Sequence, residues 1–455
     1  MQPTFIGILA LALAPVLVIA RPQLLFRLGL FFAPFSGTAV VNVPALTFGL
    51  PLSQFCFAAY AASLLLHGRA GRAIRFTPGQ LPIVLGLALF LLTLVASLIR
   101  PALDGTLAGV NVTMLVYVAG NAGIVLLAAA AIRDADALLA ALRTQGAAVL
   151  FVSLWGFYQF LAGLAGMPYP SWLFNSSASD AAQLYGAVTG AGLVRVGSVA
   201  VEPSILVQSL AYYVAIAGTL TARGRLVLGR WQVAPLLAAI ACMVLATSTT
   251  GFVGLAALAV LLLWQSTVRS FVLLAGTAAM LAGLLAIEPQ LLAGVLESTL
   301  AKAGSWSFAH RTDSVFTALD QFAARPLLGW GWSTHSAHSL PAFILANTGL
   351  AGAAAMVLLL GAAVLGLVRR TGRPAPRSAR LPHLDFALAL LNALLVSLVM
   401  QSAAGSTHVF PDFWILLGTI LAFLGLPQLA PTQALRGRPW APTRLHGGLA
   451  AGADT

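Results

Sequence analysis

Two histidines and two arginines have the chemistry and the setting to act on a substrate. His335 and His338 lie in "STHSAHSLPAF", just before a long apolar run. An imidazole titrates near pH 6.5 and can take a proton at neutral pH. At i and i+3 the two would share one face if the segment is helical. A metal would need further ligands, and the neighbourhood offers no obvious third His or Cys. The same spacing also suits two interfacial histidines hydrogen-bonded to backbone. His408, in "GSTHVFPDFW", belongs to the same side, and His310, in "SFAHRTDS", is a further candidate. Arg195, in "GLVRVGSVAVEPS", and Arg311 bring guanidinium forks that match phosphate oxygens two at a time. Each alone is equally explained by a lipid headgroup or a nearby Asp. Together they would suit a pyrophosphate. Glu202 precedes Pro203 at the head of an apolar run, where an acid complements a helix dipole.

What must position these residues is a set of membrane helices. The 455 residues are 60% hydrophobic and 8% charged, against roughly 25% charged in a soluble domain. Mean hydropathy is +0.94. The expected fold is an all-α polytopic membrane protein. Apolar runs of the length a bilayer demands, about 20 residues, fall near 4–20, 46–66, 80–99, 108–132, 145–166, 203–221, 231–247, 251–267, 270–287, 342–368, 384–401 and 409–426. That makes about 12 transmembrane helices, with 21–45 either interfacial or re-entrant. Cys56 and Cys242 both sit in apolar runs, which argues against a disulfide framework or a thiolate metal site.

The net charge of +12 would suit nucleic acid, but its distribution reads as topology. With both termini cytoplasmic, 17 of the 24 Lys and Arg fall on inside loops, as the positive-inside rule requires. The organisation expected is helices one to nine over 1–287 with an outer loop near 167–201, a large outer loop over 288–341, helices ten to twelve over 342–427, and a cytoplasmic tail over 428–455. The outer loops are too apolar for disorder. Within the second, "PQLLAGVLESTLAKA" has helical periodicity, and "RTDSVFTALDQFAARP" places Val315, Leu319 and Phe322 on one face with Pro326 ending the helix. A small helical cap on the outer face follows. Tyr169, Trp172 and Tyr185 of the first loop are aromatics of the kind expected at any membrane interface. Glycines form neither a dinucleotide nor a Walker loop.

Four stretches together resemble the bacterial O-antigen ligase and polysaccharide polymerase superfamily. They are "RVGSVAVEPS", "TSTTGFVGLAAL", "HRTDSVFTALDQFAARPLLGWGW" and "HSLPAFILANTGLAG", and the resemblance extends over roughly 80–425. The spacing of the fourth aligns His338, not His335, with the family histidine. The resemblance implies a metal-independent inverting glycosyltransferase of the bacterial inner membrane, without a cofactor, acting at the periplasmic face. Its donor would be a glycan on undecaprenyl pyrophosphate. Arg195 and Arg311 would bind the pyrophosphate and His338 would activate the acceptor hydroxyl, with Glu202, His335 and His408 as supporting residues. Thr249 stands where many ligases carry an arginine, and Glu-Pro-Ser at 202–204 is closer to the exopolysaccharide polymerase branch. The expected activity is polymerisation of exopolysaccharide or O-antigen repeat units, with transfer to lipid A core or a protein as the alternative. A transporter is the reading from another class. It fits less well, because transporters place ionisable groups near the bilayer midplane and show two related halves, and here the titratable groups gather at one mouth.

Overall fold

The computed structural model describes residues 1–44, 48–68, 76–167, 173–177, 195–265, 268–287, 306–372, 380–403 and 409–426. Fourteen α-helices lie among them: α1 (Phe5–Ala20), α2 (Pro22–Phe31), α3 (Leu52–Leu66), α4 (Leu81–Leu103), α5 (Gly109–Ala131), α6 (Ala135–Leu164), α7 (Pro203–Ala222), α8 (Val233–Leu245), α9 (Thr249–Trp264), α10 (Val268–Ile287), α11 (Trp306–Ala324), α12 (Leu340–Gly372), α13 (Arg380–Ala403) and α14 (Pro411–Gly425). Each of the twelve apolar runs coincides with a helix. Six helices (α4, α5, α6, α7, α12 and α13) are long and apolar enough to cross a membrane. Five of the other apolar helices are shorter. The chain is thus a helical, multi-pass membrane protein.

The helices pack in an intertwined bundle: α4 against α12, α7 against α13, α5 against α14, and α6 against α8. Lipid gives apolar surfaces no reason to leave it, so small residues and buried amides do the joining. Gly86 shows the first device, since a Cβ there would lie 2.7 Å from the Leu359 Cα. For the second, Asn121 accepts from Gln54 at 2.8 Å and donates to the Val409 carbonyl at 2.8 Å. At one end of the bundle Asp385, almost fully buried, takes the Nε–H groups of both Arg223 and Arg225. A buried carboxylate requires such partners. The candidate residues of the sequence lie at the other end, called the site end below.

The N-terminus departs from expectation in two ways. First, the chain is not purely helical. β1 (Gln2–Pro3), β2 (Ala39–Val43) and β3 (Phe48–Pro51) form a small antiparallel sheet in the order β1-β2-β3. Second, this sheet puts residues 2–4 at the site end, because Asn42 beside β1 donates to the Asn175 carbonyl at 2.6 Å and Thr38 donates to the Leu173 carbonyl at 2.8 Å. Residues 2–4 and Leu426 therefore lie at opposite ends of the bundle, the Leu426 carbonyl being bonded by Arg370. In the ambiguous segment 21–45, residues 21–44 are a return path. Gln23 reaches Tyr60, which is within electrostatic reach of Arg133, and the chain then climbs along α3 and α6 to the sheet. Arg21 thereby joins Arg133, Arg223, Arg225 and Arg370 at the opposite end, which sharpens the charge asymmetry.

The helix α12 is broken at Gly349 (φ 62°, ψ −159°). The "PLLGWGW" loop that follows α11 plugs the break. Leu350 N–H donates to the Pro326 carbonyl at 2.7 Å and Ala351 N–H to that of Leu327 at 3.1 Å. In return, Trp330 and Gly331 N–H donate to the Ala346 and Asn347 carbonyls, each at 3.0 Å. Backbone groups freed inside a membrane bundle must be satisfied in this way. The approach is so close that a Cβ on Gly349 would lie 2.4 Å from the Leu327 carbonyl carbon, and one on Gly329 (φ +65°) 2.4 Å from that of Asn347. Gly349→Ala combines this overlap with a backbone conformation costing about 1–3 kcal/mol for a residue with a side chain. It is expected to lower the thermal midpoint clearly, whereas Gly361→Ala, which meets nothing within 4 Å, leaves it in place. Equal midpoints for the two variants would contradict the plugged-helix account.

Candidate functional site

Three pieces of chain converge at the site end. The first is the stretch before α7. Gly197 and Ser198 N–H donate to the buried Gln159 Oε1 of α6 at 3.0 and 2.7 Å, Ser198 Oγ donates to the Val152 carbonyl at 2.7 Å, and Val201 N–H donates to Ser36 Oγ at 3.0 Å. These bonds hold Ser198 at φ +51°, a conformation non-glycine residues adopt only when their surroundings enforce it. Arg195, half-buried, sits beside this pinned segment. Glu202 occupies the N-cap of α7, yet its carboxylate caps no backbone N–H; it accepts from Ser204 Oγ at 3.0 Å and is exposed. So its role differs from side-chain capping.

The second piece is α11. Its buried line runs through Ala318, 1% exposed, flanked by Val315 and Phe322, while Leu319 is 40% exposed. The sequence expectation placed Leu319 on that face and is corrected by about 100°, one helical position. Arg311 and His310 extend from the same helix, and Ser314 one turn on donates to the Arg311 carbonyl at 2.7 Å while accepting from His338 N–H at 3.3 Å. The third piece is the loop before α12. The segment 331–339 is turn and bend, not helix, so His335 and His338 do not share a helical face. Asn347, fully buried in α12, grips His335 from both sides: Oδ1 accepts from its N–H and Nδ2 donates to its carbonyl, each at 2.9 Å.

The two histidines part company here. His335 sets its ring edge against Trp330, at 5.5 Å between centroids, and Arg325 covers the same indole at 3.6 Å. Burial and the Arg325 charge push its pKa down. His338 instead meets His310, with ring centroids 5.8 Å apart at 69°. Its pKa is lowered by burial first, then by the Arg311 and His310 charges, while the Glu202 carboxylate works the other way. Arg195 is lowered by burial and by Arg311, and supported by Glu202. Arg195, Glu202, His310, Arg311 and His338, distant in sequence, thus form one electrostatic cluster.

Two guanidiniums against one carboxylate leave surplus positive charge in a partly desolvated setting, which favours an anionic ligand. A half-buried imidazole whose neutral form is favoured suits proton abstraction. Among the described residues no three His, Cys, Asp or Glu side chains assemble as a metal would require. His408, Tyr169, Trp172, Tyr185, the segment 289–303 expected to be helical and most of the first outer loop lie outside the described residues. Sequence reasoning missed Asn347, Gln159 and Ser314, which position the cluster without touching its centre. A lone Asn within an apolar run was the available signal for the first. Compared with protein-family models and with curated proteins, the chain finds no match.

Proposed function

We propose that this protein transfers a glycan from a polyprenyl, undecaprenyl-type pyrophosphate carrier to an acceptor hydroxyl, with the cluster as its active site and its site end facing the bacterial periplasm. The observation that carries the reading is the convergence of Arg195, Arg311 and His338, the three residues singled out by the resemblance to O-antigen ligases and polysaccharide polymerases. In this scheme the guanidiniums hold the pyrophosphate and stabilise charge that grows on it as it leaves. His338 takes the proton of the acceptor hydroxyl. The freed oxygen attacks the anomeric carbon from the face opposite the pyrophosphate, the new C–O bond forms as the old one breaks, and the configuration inverts. The products are the extended glycan, the carrier pyrophosphate and a protonated His338, whose charge Glu202 stabilises.

The Glu202-Pro203-Ser204 sequence and Thr249 in place of an arginine favour polymerisation of exopolysaccharide or O-antigen repeat units over ligation to lipid A core. Purified protein with a lipid-linked oligosaccharide separates the two. A ladder of products marks a polymerase, and a single new band that requires added lipid A core or protein acceptor marks a ligase. Lipid-linked glycan crossing a liposome bilayer with neither product would instead favour a transporter.

The pH profile tests the assignment of His338. The base acts unprotonated, and burial with the neighbouring cations holds its pKa below 6.5. So kcat/KM should be flat near neutrality and fall as pH drops through an inflection below 6.5. Glu202 favours the protonated form, so Glu202→Gln should move that inflection to lower pH. An inflection that stays in place would separate Glu202 from His338.

A further inference from the structure

A second polar feature lies deeper in the bundle, between α7, α13 and α14. Asp412, in the first turn of α14, is 8% exposed. Its Oδ2 accepts from Ser209 Oγ of α7 at 2.6 Å, and its Oδ1 has no partner. Among the described residues the ion pairs are Arg100–Asp104 and Asp385 with Arg223 and Arg225, so none of their cationic side chains pairs with Asp412. On α13, Gln401 is fully buried, donates Nε2 to Ser397 Oγ at 3.3 Å, and leaves Oε1 without a partner. Asp412 and Gln401 line one cavity with Gln208, Tyr212 and Ser397, and its free space is about 10 Å³, enough for roughly one water-sized occupant.

Two buried acceptors facing one small space call for a donor or a positive charge between them, and the carboxylate's own charge, which a neutral water leaves uncompensated, favours the positive charge. Among the described residues, every polar side chain lining the cavity carries oxygen, none is His or Cys, and only one carries charge. Oxygen ligands suit hard cations. A single carboxylate balances one positive charge, whereas a divalent ion would keep a net charge among apolar walls. We propose that this cavity binds one small monovalent cation of the Na⁺ class, held by Asp412 and the Gln401 carbonyl. The ion ties together three helices at their site-end halves, including α7, which carries Glu202. The inference is independent of the transfer reaction.

Thermal unfolding of the full-length protein in detergent tests it, with NaCl titrated against choline chloride at constant ionic strength. The midpoint is expected to rise saturably with Na⁺. Asp412→Asn should lose the response, and Gln401→Met, which keeps the volume without the oxygen, should raise the half-saturating concentration several-fold. An identical midpoint in both salts would overturn the proposal; the Gln401 amide then turns over and donates to Asp412 itself. A Na⁺ response that survives in Asp412→Asn would place the ion elsewhere and overturn it too. Should Asp412→Asn not fold, an unchanged half-saturation in Gln401→Met overturns it alone.

Discussion

His338→Ala is expected to lower turnover by about 10²–10⁴-fold, the contribution of a positioned general base, with folding and donor binding retained. The ring is half-buried and its edge contact is with His310, so its removal opens little of the core. The bond that places the segment, His338 N–H to Ser314 Oγ at 3.3 Å, involves the backbone and survives in alanine. His335→Ala is the matched comparison. Its backbone grip by Asn347 also survives, and the lost ring packs on Trp330 away from the cluster. A modest loss of stability and a much smaller loss of turnover should follow. Single-turnover rates of the two variants beside their thermal midpoints give the comparison, and equal losses of rate would undo the assignment of His338.

Arg195→Lys is the second large effect, expected to cost about 10²–10³-fold in turnover, in the range seen when one preorganised donor to a developing anion is removed. Lysine keeps the charge and loses the planar fork that meets two phosphate oxygens at once. The backbone beside Arg195 is held by Gln159, Val152 and Ser36, so a shorter reach cannot be recovered by sliding the chain. Arg311 faces the same cluster from α11, and its presence does not substitute for the lost fork. Near-normal turnover in Arg195→Lys would remove Arg195 from the pyrophosphate site.

The helices were legible because a long apolar run is a strong signal that needs no tertiary information. Each of the twelve runs coincides with a helix. The start of α6 at Ala135, ten positions before its apolar run, was less so, since Asp134, Asp136, Arg143 and Thr144 interrupt the apolar residues there. The side on which the N-terminus lies was not legible. It depends on β1, two residues long, too short for any periodicity, and on bonds to residues 39–42 and 173–177 that only the fold creates. The site was half legible. His338, Arg195 and Arg311 stood out as polar groups at the edges of apolar runs. Their convergence was not readable, because it rests on α11 docking against α12 through the plugged break at Gly349. The pairing of His338 with His310, and of His335 with Trp330, likewise follows from a loop whose shape the i and i+3 spacing misrepresents. Leu319 shows the same limit: Ala318, one position away, takes the buried place on the helix.

The central claim is that His338 and the two arginines carry out glycosyl transfer from a pyrophosphate carrier. The most direct measurement incubates purified protein with a lipid-linked oligosaccharide and an acceptor, and follows both products by mass spectrometry, the new glycosidic bond and the released carrier pyrophosphate. The account predicts that the two appear together in equal amounts with the unaltered protein, and that neither appears with His338→Ala although that variant still binds the donor. Equal product formation by His338→Ala, or carrier release without a new glycosidic bond, would contradict it.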